Sequence, residues 1–154
     1  MLADYIIFLI RRDLEHVISE LEAYHDESKM WEIDKNISNS AGNLALHLVG
    51  NLNSFIGANL GKTGYIRDHP LEFSSKNVAR TDIIEKIKAT IDVVENSLSK
   101  LTTEQLSKPY PFDASFPHRI MKDPSTAYFL LHLTSHLAYH LGQINYHRRL
   151  LDVS

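Results

Sequence analysis

Neutral imidazole is the side chain best suited to holding a transition metal through nitrogen. This chain sets His132, His136, His140, Gln143 and His147 at spacings of four, four, three and four. A residue on an α-helix turns about 100° from its predecessor, so all five fall in one stripe less than a quarter-turn wide. Phe129, Leu133, Leu137, Ile144 and Leu151 lie beside or within that stripe, which turns it toward a core rather than toward water. Buried imidazoles need hydrogen-bond partners or a ligand, and neighbouring ones are not all protonated cheaply. A metal ion satisfies several at once, and His-x-x-x-His on a helix lets two imidazoles reach one ion. The alternative is a set of histidines hydrogen-bonded in and around the core.

The elements that would position these groups can be read from hydrophobic period. From Ala3 to about Tyr24, Ile6, Ile7, Ile10, Leu14, Val17, Ile18 and Leu21 recur at threes and fours, an amphipathic helix. The stretch from His25 to Asn39 loses the period, and Asn36-Ile37-Ser38-Asn39-Ser40 offers capping residues for a second helix. That helix carries Leu44, His47, Leu48, Leu52, Phe55 and Ile56 on one face, with His47 inside the apolar seam, and gives out near Asn59-Leu60-Gly61. Residues 62–77 show no period and read as a polar loop in which Arg67 and Asp68 are an ion pair or solvated charges.

Thr81 or Asp82 caps a third helix whose seam is Ile84, Ile87, Ile91, Val94, Leu98 and Leu101. Thr102-x-x-Gln105 suggests one short turn before Pro109, Pro111 and Pro117 break regular structure, and Asp123-Pro124 caps the final helix. Nothing alternates with period two for long enough to make a sheet. The expected architecture is all-α, a single-domain four-helix bundle over 1–154 with long crossover connections.

The totals exclude several classes. The sixteen Lys and Arg are scattered, the net charge is −3, and no basic patch exists for nucleic acid or a membrane surface. There is no cysteine, so any metal sits on nitrogen and oxygen. The apolar start from Leu2 to Ile10 contains Asp4, is too short to span a membrane and lacks a signal peptide's basic leader and cleavage site; a cytoplasmic protein is expected.

In a bundle, His47 of the second helix can approach His136 and His140 of the fourth. Three protein ligands with water in the remaining positions is a catalytic pattern, suited to zinc, nickel or iron. Gln143 is placed to hydrogen-bond a ligand imidazole, or is a surface amide. His132 and His147 read as packed, and Tyr128, Tyr139 and Tyr146 as a pocket wall or a subunit interface.

Leu46-His47-Leu48-Val49-Gly50-Asn51-Leu52, together with His136-Leu-Ala-Tyr-His140-Leu-Gly-Gln143-Ile144, resembles the DinB-like (YfiT-like) superfamily of metal-dependent enzymes. The segment from Ile66 to Phe73 looks like the loop of one of its branches of unassigned function. The resemblance covers essentially the whole chain. It implies a four-helix bundle, commonly a homodimer, with a divalent metal on His47, His136 and His140. It also implies thiol-dependent S-transfer with low-molecular-weight thiols such as bacillithiol or mycothiol, or mycothiol-dependent isomerisation. Leu141 stands where relatives often carry a basic residue after the last His.

The function expected is a metal-dependent transferase or hydrolase, in which the ion activates a thiol or water against a small molecule. Two alternatives use the same residues. One is a non-catalytic, stress-associated protein binding metal or a small ligand; the other is a metal-free dimeric bundle.

Overall fold

The computed structural model describes residues 1–112 and 122–153; Pro117 of the expected proline-rich connection lies outside them. The described residues form six α-helices and no strand, with only an isolated antiparallel bridge between Pro109 and Ser125. The chain is all-α. No helix among the described residues is long and apolar enough to cross a membrane.

Helix α1 (Leu2–Glu22) buries Ile6, Ile10, Leu14, Val17 and Leu21 against α4 and α6, as their spacing of threes and fours requires. The period is lost after it because Glu27–Trp31 is a 3₁₀ turn, begun by the Asp26 carboxylate accepting from Ser28 N. Trp31 ends this turn with its ring flat against Gly42, where an added Cβ would meet three ring carbons at 2.8 Å.

Helix α2 (Ala41–Leu52) starts one residue after the expected cluster of caps, with Ser40 Oγ accepting from Asn43 N. It runs on as a π-helical turn over Asn53–Ala58, where Asn53 Nδ2 donates to Val49 O and Thr90 Oγ1. The segment 62–77 is not the expected structureless loop. It contains a short helix, α3 (His69–Ser74), because Asp68 Oδ1 accepts from Leu71 N and Pro70 sits in the first turn. Asn43 ties this helix to the start of α2, its Nδ2 donating to the carbonyls of Glu72 and Ser75 at 3.0 and 2.8 Å.

Helix α4 (Arg80–Leu98) begins earlier than Thr81 or Asp82 would place it, and neither caps it. Its N-terminal group is taken by Glu27 instead, whose carboxylate accepts from Arg80 N at 2.6 Å. Arg80 in turn donates to the carbonyls of Leu21 and Tyr24 where α1 ends. Helix α5 (Thr103–Ser107) is the expected short turn, with a complete Thr102–Gln105 capping box.

Helix α6 (Thr126–Leu151) is capped by Ser125 rather than by Asp123, which takes a positive φ of 50°. It packs on α1 and α2, and its far end is pinned by His147, which is 3 % exposed. The Glu32 carbonyl can only accept, so His147 Nε2 donates to it at 2.8 Å and Nδ1 accepts from the Tyr24 hydroxyl at 2.6 Å. Replacing His147 by Ala is therefore expected to leave two polar groups without partners and to lower the unfolding free energy by about 2–3 kcal/mol in urea titration. Metal binding elsewhere on α6 should be unchanged in that variant.

Candidate metal centre

Two elements bring the histidines together. His47 faces inward from the middle of α2, and His136 and His140 are successive turns of α6, which packs against it. His136 Nε2 lies 3.2 Å from His47 Nε2 and 3.0 Å from His140 Nε2, so three ring nitrogens meet at one point. Ligands about 2.0–2.1 Å from a common ion at angles of 90–110° are themselves roughly 2.9–3.4 Å apart.

The hydrogen-bond pattern assigns the outer protons. Glu72 can only accept as a carboxylate, so His47 Nδ1–H donates to Glu72 Oε2 at 2.9 Å, and in the neutral ring this leaves the lone pair on Nε2. His140 Nδ1–H donates to Gln143 Oε1 at 2.6 Å, leaving its Nε2 a lone pair as well. His136 Nε2 can donate to only one of the two, and His136 Nδ1 is buried with no partner among the described residues.

Burial, then the neighbouring His140 and His47, push the His136 pKa down to about 3. Burial also lowers that of His140, against the opposing pull of its bond to Gln143. Three nitrogens thus converge with at most one proton among them, an arrangement poor in hydrogen bonds and well matched to a cation. The donor set fits a divalent ion that accepts imidazole.

Glu72, buried on α3, is the residue that sequence reasoning missed. Arg67 grips it with a fork, Nε to Oε1 at 2.7 Å and Nη2 to Oε2 at 2.9 Å. Burial alone would raise the Glu72 carboxyl; the hydrogen bonds from His47 and Arg67 outweigh it and hold the pKa below the ordinary range. Arg67 therefore pairs with Glu72 and not with Asp68, whose carboxylate caps α3. Gly50, one turn beyond His47, leaves the space: an added Cβ would overlap Glu72 Oε1. The readable signal was Asp68-His69-Pro70, a cap followed by a first-turn proline, with Glu72 in that same turn.

His47, His69 and Glu72 form a second cluster of potential ligands, but the Arg67 guanidinium already holds that side, with Nη2 3.3 Å from His47 Nδ1. His69 is exposed and stands edge-on to His47 at 5.9 Å between ring centroids. The remaining histidines of the α6 stripe do not join the centre. His132 stacks on Phe129 at 5.7 Å, and His147 is the structural pin of the helix end. Tyr139 meets the His140 ring at 5.5 Å, while Tyr146 is 63 % exposed.

The sequence matches the family described as protein of unknown function (DUF1572) over residues 10–153, and the chain belongs to that family. No curated protein shows significant similarity to it.

Two outcomes are expected of this centre. Glu72→Gln and Gly50→Ala should each weaken metal affinity about 10–100-fold in competition with a chelator while helicity is kept. In the metal-free protein, His136 ionises near pH 3 when folded and near 6.5 when unfolded, so below 6.5 the unfolded state binds the proton first. Stability should fall as pH drops from about 6.5 toward 3, with a shallower slope in His136→Gln, read from urea midpoints at pH 7, 6 and 5.

Proposed function

We propose that this chain is a metal-dependent enzyme of the DinB-like kind, a cytoplasmic, dimeric four-helix bundle. In this reading His47, His136 and His140 hold a zinc, nickel or iron ion. Its reaction is S-transfer from a low-molecular-weight thiol to a small molecule, or hydrolysis of that molecule. The observation that carries the reading is the meeting of three Nε2 atoms whose outer nitrogens at His47 and His140 are already committed to Glu72 and Gln143. Bound there, a divalent ion supplies Lewis acidity, lowering the pKa of a thiol or water and polarising an electrophile.

The protein's own groups have separate tasks. Glu72 and Gln143 fix the tautomers and planes of His47 and His140, so that both present a lone pair. Arg67 keeps Glu72 ionised and therefore an acceptor. Phe73, 5.0 Å from the His47 ring, covers that imidazole on the side of α3. Three protein donors would leave coordination positions of a bound ion open to reactants, whereas a closed structural site uses four.

Untagged protein purified without chelator or nickel resin should carry near-stoichiometric metal by elemental analysis. His47→Ala, His136→Ala and His140→Ala should each lose it. Thiol-transfer or hydrolysis activity found by substrate screening should fall about a hundredfold or more on chelation and return on adding the metal back. Activity indifferent to chelation would refute the reading.

A further inference from the structure

Beside the metal centre, a cavity of about 320 Å³ opens between the segment 36–39 and the C-terminal half of α6. Its floor is Leu44 and His147, each 3 % exposed, and both ring nitrogens of His147 are occupied. Ile37 and Leu150 add aliphatic surface. Tyr146, Asn36, Ser38, Asn39 and Gln143 supply the rest of the lining, and the side chains of Asn36, Ser38 and Asn39 make no hydrogen bond among the described residues. No Asp, Glu, Lys or Arg lines it.

Gln143 joins the cavity to the metal centre. Its Oε1 accepts from His140 Nδ1 at 2.6 Å, while its Nε2 has two N–H groups and no partner among the described residues. By contrast, in the groove along α1 and α6 the Glu20 carboxylate is already engaged, accepting from Asn145 and Arg148.

We propose that this cavity binds an uncharged small molecule carrying amide or hydroxyl groups on an aliphatic body, and that Gln143 bridges that molecule to His140. Free amides on the wall pair with an amide of the ligand in both directions, and Leu44, Ile37 and Leu150 take the aliphatic part. A charged ligand would find no counter-charge in the lining. The bridge to His140 deepens the metal-enzyme reading and rests on it; the ligand preference of the cavity stands apart from it.

The probe is N-acetyl-leucinamide, titrated into the full chain before and after chelation, beside its anionic and cationic analogues N-acetyl-leucine and leucinamide. Saturable binding of the neutral probe is expected, with both charged analogues about tenfold weaker or more. The ¹⁵N signals of the His140 imidazole should shift as the neutral probe saturates. Ser38→Trp, at the exposed mouth, should abolish binding with helicity and metal content unchanged, and Gln143→Leu should weaken it and silence the His140 response.

Absence of saturable binding, equal binding of the charged analogues, or binding that survives Ser38→Trp would overturn the site. A saturating probe that leaves His140 unmoved would overturn the bridge. Because the titration is repeated without metal, a failure of the metal reading would show as missing metal with cavity binding intact.

Discussion

A buried carboxylate is tolerated only where its charge is met, and Glu72 meets this requirement by accepting from Arg67 on one side and from His47 on the other. Much of the surrounding structure answers to that one group. Asp68 begins the short helix that carries it, Asn43 holds the carbonyls of that helix against α2, and Gly50 vacates the volume its oxygens occupy. The result reaches the centre as an orientation: an acceptor at His47 Nδ1 decides which nitrogen of that ring is left bare.

The same logic sorts the polar stripe of α6. One helix face holds histidines with three different physical roles, and the difference lies in what each ring nitrogen touches. His147 has a hydroxyl and a carbonyl, so it is satisfied and inert. His132 has an aromatic face. His136 and His140 have each other and His47 at Nε2, and although Gln143 takes the outer nitrogen of His140, that of His136 has no partner among the described residues.

Hydrophobic period made the long helices and the inward direction of His47, His136 and His140 legible, because both depend on spacing alone. What spacing does not carry is a contact between elements far apart in sequence. The start of α4 was misplaced because its N-terminal group is met by Glu27, a residue 53 positions away. The end of α1 depends in the same way on Arg80. Glu72 was overlooked because α3 is a single short helix with too few residues to show a period, although its cap and proline were in view. Asp123 looked like a cap by type, yet its positive φ turns it away from that role, and Ser125 takes it.

The centre is also assembled from pieces made at different times. His47 and Glu72 are 25 residues apart and can meet as soon as both have left the ribosome, whereas His136 follows His47 by 89 residues. At translation rates of about 5–20 residues per second, roughly 4–18 s separate His47 from His136. Through that interval the nascent chain holds His47 without His136 and His140, and one nitrogen of the three is a weak trap for stray ions. On the proposed reading, metal capture would be deferred until α6 docks, which would couple loading of the ion to completion of the fold.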